Sequence, residues 1–219
     1  MTASDPFAGL TIRAFLDRLS SPEPVPGGGS ASAIAASFSA GLITMVARLS
    51  LDRPKYVAYE ATHRRALAFA EHAAPRFLEL ADQDADAYAG YAAALKLPRE
   101  TAEQQAVRAD AIHAAARRAA EAPLEVVRQC VDLVAEVEAM AGRSNLNASS
   151  DVNVAAFLAE AAGRGAAANV LINLPSAGDE TFAAEATDEV MRLLATLEDL
   201  VARVRERVGA ERLREPESE

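Results

Sequence analysis

Three aspartates alternate with other residues in the segment RFLELADQDADAYAGYAAAL, and the middle one, Asp84, has unusual neighbours. Successive residues of a helix are rotated by about 100°, so Asp82 and Asp86 share a solvated side and Asp84 lies opposite them. The side of Asp84 is otherwise apolar or aromatic, with Phe77, Leu80, Ala81, Tyr88, Tyr91 and Leu95. A carboxyl group in such surroundings either finds a partner or takes up a proton at a raised pKa. It can then serve as a general acid or base near neutral pH, although a structural aspartate bonded to a neighbouring helix fits the same pattern.

The segment PVPGGGS contains three consecutive glycines, Gly27, Gly28 and Gly29, directly before Ser30 and a predicted helix. Free backbone amides and the dipole at a helix N-terminus attract carboxylate or phosphate groups. The segment lacks the Lys-Ser/Thr ending of a P-loop, and no strand precedes it, as a dinucleotide-binding fold requires. The local sequence therefore favours a simple interhelical turn over an anion-binding turn.

Asparagines occur at two places where ligand contact competes with a structural explanation. Asn169 and Asn173 are one turn apart in the apolar segment AAANVLINLP. Asparagine is a poor helix former, so the pair indicates either hydrogen bonds between helices or amide contacts with a ligand. Asn145, Asn147 and Asp151 line the preceding polar loop and the start of the next helix, where capping explains one or two of them.

The cysteine and histidine content predicts no metal site. The three histidines, His63, His72 and His113, form no ligand spacing with cysteine or carboxylates. Cys130 is the only cysteine, and its position in the helical run PLEVVRQCVDLV favours a buried small hydrophobe over a nucleophile. A single cysteine forms no intrachain disulfide, which favours a reducing cytoplasm.

Charge and hydropathy argue against nucleic acid and membranes as partners. The net charge is −10, whereas binding to phosphate backbones needs clustered Lys and Arg. The N-terminus MTASDPFAGL lacks the pattern of a signal peptide. The most apolar run, residues 31–49, is diluted by Ser, Thr and Arg and predicts a helix buried inside protein.

The composition predicts an all-α fold. Alanine is abundant, aromatic residues make up only 5% of the chain, and runs of alternating β-branched residues are missing. Apolar spacing and helix breakers predict one domain over residues 1–219, a bundle of long helices at residues 11–20, 30–49, 54–97, 102–140, 151–174 and 179–208. The second helix is expected at the centre of the bundle. Pro75 and Pro123 are expected to kink or divide the long helices, and residues 210–219 are expected to form a frayed tail.

Several segments, in order and over most of the chain, resemble one family. They are FLDRLSSPEPVPGGGSASAIAASFSAGLITMVARLS, DQDADAYAGYAAALKLPRETAEQ, AAEAPLEVV and NLNASSDVNVAAFLAEAAGRGAAANVLINL. Together they are similar to the formiminotetrahydrofolate cyclodeaminase and methenyltetrahydrofolate cyclohydrolase family. The resemblance implies an all-α homodimer that binds a tetrahydrofolate derivative, polyglutamylated or not.

The resemblance also assigns roles to residues. It places the family's proton donor at Asp84, which the helical pattern indicates independently, and the glycine-rich turn near the active site. The candidate substrate-binding residues are Gly27, Gly28, Gly29, Ser30, Arg53, Lys55, Tyr88, Asn145, Asp151, Asn169 and Asn173. Arg53 and Lys55 stand in LDRPKY, where the family often has a more basic turn, and are expected to meet the glutamate carboxylates of the folate. Ser144 replaces the glycine that usually precedes the Asn-Leu pair.

We expect a methenyltetrahydrofolate cyclohydrolase, because no formiminotransferase domain accompanies this sequence to supply a formimino substrate. The alternatives are a formiminotetrahydrofolate cyclodeaminase, a non-catalytic helical module that binds folate or another anion, and a purely structural dimer. Neither enzymatic reaction needs a metal or a redox cofactor, so none is expected.

Overall fold

The computed structural model describes residues 6–216, and within them every regular element is helical. The six α-helices are α1 (Ile12–Leu19), α2 (Gly28–Ser50), α3 (Glu60–Leu95), α4 (Ala102–Met140), α5 (Ser149–Asn173) and α6 (Glu180–Gly209). Short 3-10 segments occupy Phe7–Gly9, Pro54–Tyr59, Leu146–Ala148 and Leu174–Ser176. The all-α prediction is confirmed.

Side-chain caps fix the starts of three helices. The Thr11 hydroxyl accepts a hydrogen bond from the Ala14 amide at 3.1 Å, as expected for a cap at the first helix. Thr101 and Gln104 form a reciprocal capping box at the start of α4. Asp179 caps α6 in the same way as Thr11 caps α1.

The prolines act differently from the expectation at one place. Pro54 begins a 3-10 segment, and the α-helix predicted to start there begins only at Glu60, because the tyrosines of Pro54–Tyr59 turn inward and are buried. Pro75 and Pro123 lie inside α3 and α4, which each continue through them. Each proline removes one hydrogen bond of its helix without dividing it.

Helix α2 lies between α3 and α5, while α4 packs on α3 and α5, and α6 packs on α4 and α5. Close packing depends on small residues, since a Cβ at Gly163 of α5 would lie 2.6 Å from Leu197 of α6. Helices α2 and α5 run antiparallel, because Ser32 approaches Gly165 and the Ser39 hydroxyl bonds the Ala155 carbonyl at 2.7 Å. The core holds Cys130, whose side chain is buried as expected, and burial raises the pKa of its thiol to about 12.

Helix α2 is long and apolar enough to cross a membrane by length and composition alone, with a mean hydropathy of 1.6. Its inner side packs on protein and contains the buried serines Ser30, Ser39 and Ser50, whose hydroxyls are hydrogen-bonded. The expectation of a fully central helix is wrong in one respect. A stripe of α2 that includes Phe38 and Met45 is exposed, because α3 and α5 cover only part of its circumference.

The expected frayed tail is held at Arg214. Its amide bonds the Gly142 carbonyl at 2.7 Å, and its guanidinium bonds Glu138 and the Ala141 carbonyl. The Tyr59 hydroxyl also donates to the Arg214 carbonyl at 2.8 Å. Fraying therefore does not begin at residue 210, and residues 217–219 lie outside the described part of the chain.

Candidate functional site

Asp84 of α3 packs against the N-terminus of α2. A Cβ built on Gly29 would lie 2.5 Å from the Asp84 carboxyl carbon and still closer to its Oδ1. Only glycine leaves room for the carboxyl group at this distance. No residue of the glycine run has a positive φ, so the structure explains Gly29 by close contact and not by a left-handed conformation.

Ser30 is the hydrogen-bonding partner of Asp84. Its Oγ lies 3.0 Å from Asp84 Oδ2 and also 3.0 Å from the Ala81 carbonyl oxygen. A hydroxyl has one hydrogen to donate, so it serves one of these oxygens at a time. When Ser30 donates to Ala81, its oxygen can accept a proton from a neutral Asp84. When Asp84 is ionised, Ser30 can donate to the carboxylate.

Burial raises the pKa of Asp84 above the ordinary aspartate value, and hydrogen bonds from the side chain and backbone of Ser30 partly offset that effect. Ser30 is the third residue of α2, where backbone amides have no partner within the helix and the helix dipole favours negative charge. The site therefore stabilises both protonation states. A carboxyl group of this kind can both take up and return a proton.

Asp84 opens onto a cavity of about 380 Å³ between α2, α3 and α5. Among the predicted substrate-binding residues, Gly27, Gly28, Gly29, Tyr88, Asn169 and Asn173 line it. Ser30 is fully buried behind Asp84 and is absent from the lining, so it reaches the cavity only through that carboxyl group.

The two asparagines are anchored through their side-chain amino groups. Asn169 Nδ2 donates to the Gly165 carbonyl at 2.9 Å, and Asn173 Nδ2 donates to the carbonyls of Ala119 at 3.1 Å and Asn169 at 2.8 Å. The hydrogen bond to Ala119 joins α5 to α4, so the expected hydrogen bond between helices is present at Asn173. Each Oδ1 is left to accept from a ligand N–H.

Sequence reasoning missed other residues that line the cavity: Pro24, Val25, Tyr91, Ala119, Ile172 and Ser176. Tyr91 shares the helical stripe of Asp84, which is the signal that could have identified it, and its hydroxyl lies 3.4 Å from Ser176 Oγ. Ala119 and Ser176 come from α4 and from the segment after α5. Only the tertiary packing brings them to the cavity.

Arg53, Lys55, Asn145 and Asp151 do not join this cavity within one chain. They lie at the other end of α2, which at 1.5 Å per residue is about 33 Å long. Asn145 has a structural role there, because its amide donates to Ser50 Oγ at 2.8 Å and its Oδ1 accepts from Asn147 at 3.1 Å. Asp151 lies in the first turn of α5. None of these four residues lines the cavity beside Asp84.

Within residues 6–216, no group of three or more His, Cys, Asp or Glu side chains is arranged to hold a metal ion. The charged group of the cavity is Asp84, and its other polar contributions are hydroxyls, carboxamides and backbone amides. The arrangement is suited to binding a polar, partly aromatic molecule and transferring protons to and from it.

Residues 11–192 match the formiminotransferase-cyclodeaminase family. The chain belongs to that family. It is 37% identical over 198 residues to a methenyltetrahydrofolate cyclohydrolase of Methylorubrum extorquens, covering 90% of this chain and 95% of that protein. It is 33% identical over 199 residues to the formimidoyltransferase-cyclodeaminase of Sus scrofa, of which the match covers only 37%.

A solved structure agrees with this assignment. The formiminotetrahydrofolate cyclodeaminase of Thermotoga maritima has a TM-score of 0.84 and 28% identity, covering 93% of this chain and 98% of that one. The family and the helical architecture predicted from the sequence are both confirmed.

The contact between Gly29 and Asp84 predicts a change of sign in a double-mutant cycle. Gly29→Ala should destabilise the protein by about 1–3 kcal/mol, because its methyl group overlaps the carboxyl group. In an Asp84→Ala background the overlap is gone, so the same substitution should be neutral or stabilising by up to about 1 kcal/mol. Denaturant unfolding of the four proteins measures both values, and Gly28→Ala is the control, because its methyl group would meet only the Asn169 carboxamide, with Nδ2 at 3.3 Å. Equal effects in the two backgrounds would contradict the contact.

The raised pKa of Asp84 predicts how stability depends on pH. Between about pH 4 and the raised pKa, the folded protein keeps a proton that the unfolded chain releases, so this group's contribution to stability is complete at low pH and lost as pH rises. Asp84→Asn cannot ionise. Its free energy of unfolding relative to wild type should therefore increase with pH from about pH 4 and level off above the pKa of Asp84. Denaturant unfolding across pH, with the exposed Asp86→Asn as control, tests this, and a difference that falls with pH would refute it.

Proposed function

We propose that this protein is a folate one-carbon enzyme, a methenyltetrahydrofolate cyclohydrolase that converts 5,10-methenyltetrahydrofolate and water to 10-formyltetrahydrofolate. The observation that carries the proposal is the placement of Asp84, a carboxyl group of raised pKa held against Gly29 at the wall of the cavity. The nearly end-to-end match to a protein named as this cyclohydrolase supports the choice of reaction.

Asp84 acts twice in the proposed reaction. A water oxygen forms a bond to the cationic methenyl carbon while the Asp84 carboxylate takes one of the water protons. In the neutral adduct, the bond from this carbon to N5 then breaks, and protonated Asp84 returns its proton to N5. The adduct hydroxyl loses its proton to solvent as the formyl C=O forms on N10. The balance is one water consumed and one proton released, with Asp84 unchanged.

Ser30 supports both states of Asp84 as a positioning residue. It can donate to the carboxylate before water attacks, and it can donate to Ala81 while Asp84 is protonated. The exchange needs only rotation of one hydroxyl hydrogen. The acid and base forms therefore occupy the same position, and little reorganisation opposes proton transfer.

The rest of the cavity supplies contacts for a pteridine. The free Oδ1 atoms of Asn169 and Asn173 can accept from its ring N–H groups, and Tyr88 and Tyr91 offer aromatic surface. Gly27 and Gly28 allow the ligand to approach the backbone closely. We propose a homodimer in the cytoplasm that uses a tetrahydrofolate derivative, with or without a polyglutamate chain, and no metal or redox cofactor.

A cyclodeaminase is the second candidate, because the matching solved structure carries that name. In that reaction N10 attacks the formimino carbon on N5, and the proton of N10 passes to the formimino nitrogen. Protonated Asp84 then donates a second proton to this nitrogen, its bond to the carbon breaks, and ammonia leaves the methenyl cation behind. The same carboxyl group serves both reactions, so the two candidates differ in substrate and not in the site.

Turnover of the two substrates tests the proposal. Wild-type protein should consume methenyltetrahydrofolate faster than the uncatalysed rate, and Asp84→Asn should lower kcat by about 10²–10⁴-fold, the usual contribution of a general acid–base. Asp86→Asn, on the exposed side of the same helix, should retain wild-type kcat.

Consumption of formiminotetrahydrofolate alone would favour the cyclodeaminase. Consumption of neither substrate would refute the enzyme proposal, and an unchanged kcat in a folded Asp84→Asn protein would refute the role of Asp84.

A further inference from the structure

Pro123 lies inside α4, four residues after Ala119, which lines the cavity beside Asp84. In an α-helix each backbone amide donates to the carbonyl four residues earlier. Proline has no amide hydrogen, so Pro123 leaves the Ala119 carbonyl without this partner. Both residues are buried, and a buried carbonyl without a donor destabilises the fold. The position of Pro123 therefore calls for a donor from outside α4.

The side chain of Asn173 in α5 supplies this donor. Its Nδ2 lies 3.1 Å from the Ala119 carbonyl oxygen and 2.8 Å from the Asn169 carbonyl oxygen. A carboxamide nitrogen carries two hydrogens, and these two hydrogen bonds use both of them. The flipped carboxamide would hold Oδ1 against two carbonyl oxygens, which repel it. Oδ1 is therefore the atom that Asn173 offers to the cavity, and it is an acceptor only.

Two properties of proline strengthen the hydrogen bond between Asn173 and the Ala119 carbonyl. The amide that would compete with Asn173 Nδ2 for this oxygen is missing, and the pyrrolidine ring crowds the carbonyl four residues earlier, which turns that carbonyl outward from the helix. Any other residue at position 123 would restore the competing amide and draw the Ala119 carbonyl back towards the axis of α4. The Asn173 carboxamide would then be held firmly only by Asn169 of its own helix and would rotate more freely.

Pro75 provides a comparison within the same molecule. It lies inside α3 and removes the amide that would serve the Glu71 carbonyl. Pro75 and Glu71 are both exposed, so water can bind this carbonyl, and neither residue lines the cavity. Of the two prolines inside helices of the described chain, Pro123 is the one whose freed carbonyl binds a side chain that lines the cavity.

We propose that Pro123 is a positioning residue for substrate binding. By freeing the Ala119 carbonyl, it holds the Asn173 carboxamide with Oδ1 directed at the ligand. The identity of the ligand rests on the proposed function, since the pteridine ring of a folate carries the N–H groups that this acceptor binds. Pro123 does not line the cavity and acts only through Ala119 and Asn173. A pre-oriented acceptor binds more tightly because little conformational entropy is lost when the ligand enters.

Steady-state kinetics tests whether Pro123 acts through Asn173, with KM measured for whichever folate the wild type consumes. Pro123→Ala restores the competing amide and should raise KM about three- to tenfold without changing kcat, because one hydrogen bond to the substrate is weakened. Asn173→Ala removes the same hydrogen bond and should raise KM at least as much. The double variant should have the KM of Asn173→Ala, since both substitutions act on one contact. Pro75→Ala is the matched control and should leave KM unchanged.

Unfolding in denaturant tests the same link without a folate. Pro123→Ala should be at least as stable as wild type, because alanine suits a helix interior much better than proline. Asn173→Ala should lower the unfolding midpoint of wild type, where it leaves the buried Ala119 carbonyl without a donor. It should lower the midpoint of Pro123→Ala by less, because the amide at position 123 then serves that carbonyl. In the Pro75→Ala background the full loss should remain.

The role of Pro123 is overturned by an unchanged KM in Pro123→Ala, or by effects of Pro123→Ala and Asn173→Ala on KM that multiply in the double variant. An equal loss of stability from Asn173→Ala in the wild-type and Pro123→Ala backgrounds also overturns it. A Pro123→Ala protein that does not fold refutes it as well, because the proline would then serve stability. A wild type that consumes neither methenyltetrahydrofolate nor formiminotetrahydrofolate would instead refute the proposed function, and the unfolding experiment would still decide whether Pro123 holds Asn173.

Discussion

The carboxyl group of Asp84 rests on the Cα of Gly29, and this contact sets how closely α3 can approach the N-terminus of α2. Any side chain at Gly29 would occupy the volume of the carboxyl group. At the adjacent residue, Gly28, the Asn169 carboxamide of α5 is farther away, since a Cβ there would lie 3.3 Å from its Nδ2. Helices α2, α3 and α5 therefore converge at Gly28 and Gly29. Because these two residues have no side chains, Asp84 of α3 and Asn169 of α5 lie close to the backbone of α2 at the wall of the cavity.

Two opposing electrostatic effects act on this carboxyl group. Removal from water raises its pKa, while the Ser30 hydroxyl, the Ser30 amide and the start of α2 favour its negative charge. A group buried without these donors would stay neutral, and one fully exposed would stay ionised. Their combination gives a carboxyl group that can both take up and return a proton, which both candidate folate reactions need. Ser30 therefore acts on the cavity only through Asp84, because it is fully buried and does not line the cavity.

Much of this arrangement follows from local sequence. Helical periodicity identifies Asp84, capping residues locate helix starts at Thr11 and Thr101, and the glycine run marks the beginning of α2. The remaining features depend on contacts between distant segments. Periodicity does not show that Gly29 faces Asp84. It also places Asp82 on a solvated side of the helix, whereas in the structure Asp82 accepts a hydrogen bond from the Phe7 amide at 2.9 Å. The sequence also does not reveal that Arg53 and Lys55 lie a whole helix length from the carboxyl group of Asp84. Resemblance to a family suggests which residues share a role, but it does not give the distances between them.

The central claim is that packing against Gly29 and Ser30 holds Asp84 as a carboxyl group of raised pKa. The most direct measurement is a ¹³C NMR titration of aspartate side-chain carboxyl groups, with the Asp84 signal assigned by its loss in Asp84→Asn. We predict a titration midpoint for Asp84 clearly above the ordinary aspartate value of about 3.9. A midpoint at or below that ordinary value would contradict the claim.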